Sequence, residues 1–142
     1  MVTKTSILNN QNERSVFMKV TWLGQLSILI ETKNTTIMVD PYLTDYLYET
    51  VGPQFKRLVP INEKYCSMHP DMILLSHDHG DHLDIPSLKS LLDTNKKVHV
   101  LAGANAWKKV RKAIGGDHNY VQLTTGTEWS FKDVHVRAIK AY

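Results

Sequence analysis

Six consecutive residues near the middle of the chain have more potential for chemistry than any other stretch. They are His77-Asp78-His79-Gly80-Asp81-His82, an HxHxDH pattern. Residues i and i+2 of an extended segment point to the same side, so His77 and His79 can direct their imidazoles to one point. Gly80 is expected to let the chain turn tightly, which directs Asp81 and His82 to a second point nearby.

These side chains predict a metal site. Neutral imidazole and carboxylate are ligands for zinc, manganese and iron. Two pairs of ligands predict two metal ions, as in hydrolytic centres whose metals lie about 3.5–4 Å apart. Asp78 points away from its two neighbouring histidines and is expected to support the site without binding metal. The alternative, a solvated turn rich in His and Asp, is less consistent with the strand, glycine and helix predicted around it.

The elements before this pattern predict strands. Alternation of apolar and polar residues indicates a strand at 18–22, and the apolar runs at 26–30 and 36–39 predict a hairpin. The hairpin ends at Asp40-Pro41, because proline interrupts both strand pairing and helix. The apolar run at 72–76, typical of a buried strand, leads directly into the HxHxDH pattern.

The elements after the pattern alternate in type. Asp84 can cap a helix that has Pro86 in its first turn. A strand at 98–102 and a helix carrying Trp107 and Ile114 follow. Three more strands are predicted at 121–123, 128–131 and 134–139. Strands and helices in this order predict an α/β sandwich.

Residues 42–70 form the least regular stretch and are called the flap below. Five aromatic residues favour an ordered flap over a disordered one, with a short helix at 44–49. A role facing the substrate and a role covering the edge of the core are both open.

The HxHxDH pattern resembles that of the metallo-β-lactamase superfamily of metal-dependent hydrolases. Three local stretches also resemble the branch that contains the UlaG-type ascorbate-6-phosphate lactonases: Thr21-Trp22-Leu23-Gly24, Val39-Asp40-Pro41-Tyr42 and Leu75-Ser76-His77-Asp78-His79. The resemblance covers residues 18–142 and implies the N-terminal half of an αββα sandwich. Residues 1–17 are then expected to form a flexible N-terminal arm.

The resemblance also implies a role for each residue. His77 and His79 would bind one divalent metal ion, and Asp81 and His82 the other, with zinc favoured over manganese or iron. Asp81 would also be catalytic, orienting a metal-activated hydroxide that attacks a lactone or a phosphoester. Asp40 would support the metal-binding loop; its alternative role is a turn cap before proline.

In the family, further ligands come from a second half: a histidine after the strand that resembles 134–141, then an aspartate and a final histidine. Each metal would have two ligands from the residues up to Tyr142, whereas catalytic zinc usually has three protein ligands. The chain is therefore interpreted as the first portion of a larger hydrolase. The alternative is a metal-binding fragment that has no activity of its own. The remaining four histidines are expected to have ordinary structural roles: His69, His99, His118 and His135.

Composition limits the partners. A net charge of +3, from 17 Lys+Arg against 14 Asp+Glu, is too small to indicate nucleic acid. A superfamily nuclease stays open because four cations cluster at Lys108, Lys109, Arg111 and Lys112. Cys66 is the single cysteine and is expected to be an inert free thiol. No apolar run approaches the roughly 20 residues that cross a bilayer, so a cytoplasmic protein with no membrane contact is predicted. The expected partner is a small-molecule substrate. An exposed sandwich edge could support an oligomer.

Overall fold

The computed structural model describes residues 17–140, and the predicted arm at 1–17 lies outside this range except for Phe17. Within the range the strands are β1 (Met18–Gly24), β2 (Ser27–Thr32), β3 (Thr36–Val39), β4 (Met72–Leu75), β5 (His99–Gly103), β6 (Asn119–Leu123), β7 (Glu128–Phe131) and β8 (Val134–Arg137). The helices are α1 (Tyr46–Thr50), α2 (Glu63–Cys66), α3 (Ile85–Leu92) and α4 (Ala104–Ile114), with a 3₁₀ turn at Pro53–Phe55. No helix among the described residues is long and apolar enough to cross a membrane.

Strands β1 to β6 form one sheet in chain order. β1, β2 and β3 are antiparallel neighbours, with Val20 opposite Ile30 and Ile28 opposite Val39, which confirms the predicted hairpin. β3, β4, β5 and β6 are parallel. β1 therefore runs in the same direction as β3, and the carboxyl ends of five strands share one edge of the sheet. The HxHxDH loop follows β4 at this edge.

One face of the sheet is covered by α3 and α4. Leu88, Leu91 and Leu92 of α3 are buried, and Val110 of α4 is fully buried. The three- and four-residue spacing places these side chains on one stripe of each helix, as predicted. They join strand residues such as Ile73 in the larger apolar cluster of the core.

The other face of the sheet is covered by the hairpin of β7 and β8. Ile37, Met72 and Leu101 of the sheet are buried there, with Trp129 and Phe131 of β7 packed against them. The described residues thus form a helix layer, a six-stranded sheet and a two-stranded sheet. This order confirms the predicted α/β sandwich.

Asp84 lies at the N-cap of α3, as expected, but its side chain does not cap the helix backbone. Its Oδ2 accepts hydrogen bonds from the hydroxyls of Ser87 and of Thr44, the latter at 2.8 Å. Burial raises the pKa of this carboxyl group. The predicted cap is therefore wrong, because Asp84 accepts from the Ser87 hydroxyl instead of from a backbone N–H of the helix. Through Thr44, Asp84 instead ties α3 to the chain after β3.

A second carboxylate, that of Asp71, ties the hairpin of β7 and β8 to the sheet. Its Oδ2 accepts from the backbone N–H of Thr36 at 2.9 Å and from the Thr36 hydroxyl at 3.0 Å. Its Oδ1 lies 3.1 Å from Nζ of both Lys96 and Lys132. Burial opposes ionisation, but these hydrogen bonds outweigh it and hold the pKa of Asp71 well below its usual range.

Replacing Asp71 by Asn should lower the free energy of unfolding by about 1–3 kcal/mol at neutral pH, because the backbone and lysine donors lose a charged acceptor. A lowered folded-state pKa stabilises the fold above the unfolded carboxyl pKa of about 3.9, and this contribution is lost as the pH falls. Urea unfolding of both proteins across acid pH should therefore show the difference shrinking below about pH 4.

Asp117→Asn is the matched control, because Asp117 is 97% exposed in its ion pair with Lys97. It should change stability by less than about 0.5 kcal/mol at any pH. An Asp71→Asn protein as stable as the Asp117 variant would contradict the proposed tie.

Candidate metal centre

The HxHxDH loop folds back on itself directly after β4. The backbone N–H groups of His82 and Leu83 donate to the carbonyl of His79, at 3.0 and 2.8 Å. This turn gathers the imidazoles: the ring centre of His77 lies 4.5 Å from that of His79 and 3.9 Å from that of His82. The three predicted histidine ligands are thus brought together at the carboxyl edge of the sheet.

Gly80 contributes to this loop in a way other than the one the sequence indicated. Its φ lies outside the left-handed region, so the turn does not depend on glycine's conformational freedom. A Cβ at this position would lie 2.9 Å from Cδ2 of Leu47 in α1. The glycine therefore permits close approach of the flap to the metal-binding loop, which corrects the expected role.

Asp40 connects the end of β3 to the loop. Its carboxylate is buried, and its backbone has a φ of +43°, a left-handed conformation that aspartate tolerates better than most residues. Oδ1 accepts from the backbone N–H of Ser76 at 2.7 Å. Oδ2 accepts from the Ser76 hydroxyl at 2.6 Å and lies 2.8 Å from Nδ1 of His82. The carboxylate thus holds both ends of the loop.

These contacts determine where the imidazole protons lie. A carboxylate oxygen accepts, so the contact assigns the proton of a neutral His82 imidazole to Nδ1, which leaves the lone pair on Nε2. The Ser76 hydroxyl donates its proton to Asp40, so its oxygen accepts from Nδ1 of His77 at 3.0 Å. A neutral His77 imidazole then has its lone pair on Nε2 as well. A single buried carboxylate thereby prepares two imidazoles to act as ligands.

The donor chemistry fits a divalent metal. Nε2 of His82 lies 3.8 Å from Oδ2 of Asp81, less than the sum of two metal–ligand bonds of about 2.0–2.2 Å, so one ion can contact both atoms. Imidazole with carboxylate suits zinc, manganese or iron. Between residues 17 and 140, no three side chains of His, Cys, Asp or Glu are arranged to hold an ion together. The assignment of His77 and His79 to one ion and of Asp81 and His82 to another stays a prediction.

Asp78 contacts α4. Its Oδ2 lies 2.7 Å from Nζ of Lys109 in α4, and the same ammonium donates to the carbonyl of Asp78 at 3.4 Å. The hydrogen bond from Lys109 lowers the pKa of the Asp78 carboxyl. α4 therefore braces the loop from the outside, a contact that no spacing in the sequence indicates.

The other four histidines have structural contacts. Nδ1 of His69 and Nε2 of His118 each lie within hydrogen-bond distance of a carbonyl near the end of α3, at 3.1 and 3.0 Å. His99 packs against the aromatic rings of β7, and burial lowers its pKa. His135 lies 2.8 Å from the Ser130 hydroxyl. None of the four approaches the loop through these contacts.

The flap forms a cavity over Asp81. The cavity has a volume of about 220 Å³. The residues that line it are Gln25, Tyr42, Leu47, Gln54, Phe55, Lys56, Leu58 and Asp81. A larger cavity of about 430 Å³ lies at the opposite edge of the sheet and contains none of the predicted ligands. The smaller cavity is therefore the candidate substrate site.

Arg57, a residue that sequence reasoning missed, anchors the flap. Its guanidinium is buried and donates to the backbone carbonyls of Tyr42, Leu23 and Val59, the last two at 3.2 and 3.3 Å. Gly24 has a φ of +95°, and a Cβ there would lie 2.5 Å from Nη2 of Arg57. A glycine at the end of the predicted first strand was the available signal for such a close approach. The ordered flap is confirmed.

Comparison with known proteins found a matching family model and several similar proteins. A family model described as a beta-lactamase superfamily domain matches residues 19–142. A mitochondrial N-acyl-phosphatidylethanolamine-hydrolyzing phospholipase D of Saccharomyces cerevisiae is 39% identical over 71 residues, which cover 49% of this chain and 15% of that protein. A UPF0173 metal-dependent hydrolase of Desulforamulus reducens is 33% identical over 108 residues, covering 72% of this chain and 42% of that protein.

A solved structure from Parabacteroides distasonis, named as a candidate metal-dependent hydrolase, has a similar fold. The TM-score is 0.61 at 21% identity, over 89% of this chain and 47% of that one. The chain thus spans less than half the length of these relatives.

Asp40→Asn should weaken zinc binding about 10–100-fold, since the amide keeps the shape and the left-handed backbone but cannot accept all three hydrogen bonds. Competition titration against a chromogenic zinc chelator measures the affinity, and circular dichroism confirms that the variant is folded. Asp93→Asn, which removes an exposed carboxylate beyond α3, is the control and should bind zinc as the wild type does. Wild-type affinity in Asp40→Asn would contradict the role given to Asp40.

Proposed function

Because the chain belongs to the metallo-β-lactamase superfamily, we propose that it provides the metal-binding portion of a metal-dependent hydrolase that cleaves a phosphodiester. The observation that carries the proposal is the contact of the Asp40 carboxylate with Ser76 and His82. A group that only holds a loop in place does not require two neighbouring imidazoles with free Nε2 lone pairs. A metal site does.

In the proposed reaction, His77, His79, Asp81 and His82 would hold the metal, which would supply Lewis acidity and lower the pKa of a bound water. Asp81 lines the cavity, so its carboxylate would orient a water toward a substrate bound there. Asp40 and Ser76 keep the proton on Nδ1 of both His82 and His77. Leu47 and the rest of the flap limit the access of bulk water from above.

The phosphodiester is favoured by two findings. The relatives from yeast and from Caenorhabditis elegans are named N-acyl-phosphatidylethanolamine-hydrolyzing phospholipases D. The cavity combines a cation, Lys56, and two amides with the apolar side chains of Phe55 and Leu58, which suits a phosphate with an apolar substituent. A lactone is the second candidate, supported by the local resemblance of residues 21–24 and 39–42 to the lactonases.

A nucleic acid is less well supported as substrate. Of the four cations on α4, Lys109 is paired with Asp78, and Arg111 lies 4.5 Å from the ring centre of Trp107. Two of the four are therefore engaged within the chain. A cytoplasmic location and an oligomer through the sandwich edge stay predictions.

Replacing His77 by Ala should remove at least about 99% of the phosphodiesterase activity and lower the metal content. Loss of a residue that only supports a metal ligand typically lowers metal affinity or activity about 10–100-fold, and loss of a ligand itself should have a larger effect. Purified protein is analysed for metals and assayed with bis(p-nitrophenyl) phosphate and with a simple γ-lactone, in zinc and in manganese. His135→Ala is the control, since His135 is an exposed histidine that contacts Ser130.

Each outcome has a distinct reading. Unchanged metal content in His77→Ala would show that the site is assigned wrongly. Cleavage of the lactone alone would keep the hydrolase and replace the substrate class. Metal binding through His77 without turnover of either compound would favour the inactive metal-binding fragment.

A further inference from the structure

The flap exposes apolar side chains beside the cavity. Leu58 is 91% exposed, Phe55 is 41% exposed and Tyr48 is 39% exposed. Together with Lys56 they are called the flap patch. Scattered exposed apolar residues are ordinary, but a group around one cavity marks a surface that meets an apolar partner.

The residues of the flap patch are neighbours. Phe55, Lys56 and Leu58 line the cavity that contains Asp81. Nζ of Lys56 lies 5.6 Å from the ring centre of Tyr48. The patch therefore lies beside the candidate substrate site and contributes part of its lining.

The backbone that carries the patch is anchored by Arg57. This side chain lies between Lys56 and Leu58 in sequence and is buried. It donates to the carbonyl of Leu23 in β1, which ties the flap to the sheet, and to the carbonyls of Tyr42 and Val59 within the flap. Leu58 is therefore exposed next to an anchored residue.

The chemistry of the patch fits a lipid–water interface. Aliphatic and phenyl groups enter the acyl region, a tyrosine has an apolar ring with a polar tip, and a lysine keeps its ammonium among the headgroups. Lys56 carries the only charge in the patch and favours anionic headgroups. The expected absence of membrane contact rested on the lack of a spanning run, which a peripheral surface does not need.

We propose that the flap patch docks on the surface of an anionic lipid assembly and presents a lipid phosphodiester to the cavity over Asp81. The second part of this statement rests on the proposed function. The docking itself needs neither metal nor turnover.

Vesicle sedimentation with the metal-free 142-residue chain tests the docking. The chain should bind vesicles of phosphatidylcholine with phosphatidylglycerol more tightly than vesicles of phosphatidylcholine alone. The double variant Phe55→Ser/Leu58→Ser should bind both at least about tenfold more weakly. Lys56→Gln should lose about fivefold on the anionic vesicles and little on the neutral ones.

Two controls remove an apolar group or a cation elsewhere. Ile139→Ser replaces a side chain that is 80% exposed beyond β8, and Lys97→Gln removes an exposed lysine at the opposite edge of the sheet. Both should bind vesicles as the wild type does. All the substituted side chains are exposed to solvent, so thermal unfolding should show folded proteins throughout.

The proposal is overturned if the wild type does not bind anionic vesicles, or if the double variant binds as tightly as the wild type. It is also overturned if light scattering shows a dimer that the double variant dissociates, because the patch would then cover a second copy. Failure of the proposed function is seen separately, in the assay with a soluble phosphodiester, which needs no surface.

Discussion

The buried carboxylate of Asp40 is the contact on which the rest of the site depends. It accepts from the backbone and the hydroxyl of Ser76 and from Nδ1 of His82, so it joins the end of β3 to both ends of the metal-binding loop. The left-handed φ of Asp40 shows that the backbone accepts an uncommon conformation at this point. A parallel sheet supplies the reason for the proximity, because β3 and β4 end side by side at the same edge.

A second constraint positions the substrate side of the site. Arg57 places a charged guanidinium in the interior, where it donates to backbone carbonyl oxygens. These hydrogen bonds offset the cost of removing the guanidinium and the carbonyls from water. Two glycines let the flap pack closely: Gly24 of β1 leaves room for the Arg57 guanidinium, and Gly80 of the metal-binding loop leaves room for Leu47. The flap therefore approaches both β1 and the metal-binding loop at positions that have no side chain.

The sequence allowed the main elements and the ligand loop to be predicted, because their signals are local. The apolar stripe of α3, the buried strand β4 and the HxHxDH pattern are each contained in a few residues. The pair Lys109–Asp78 was not predicted, because the two residues are more than 30 positions apart. Arg57 was not predicted, because it binds backbone carbonyls, which every residue has and which therefore leave no signal in the sequence. The errors at Gly80 and Asp84 have the same origin: a local rule gave a plausible role, and a distant side chain decided the actual one.

Asp40 is expected to determine which nitrogen carries the proton in two ligand imidazoles before any metal binds. Long-range ¹H–¹⁵N NMR of the metal-free wild type, at a pH well above the ordinary histidine pKa of about 6.5, reads the tautomer of each ring directly. His82 and His77 should both carry the proton on Nδ1, and zinc should then shift the resonance of Nε2. A proton on Nε2 of His82 in the metal-free protein would contradict this role of Asp40.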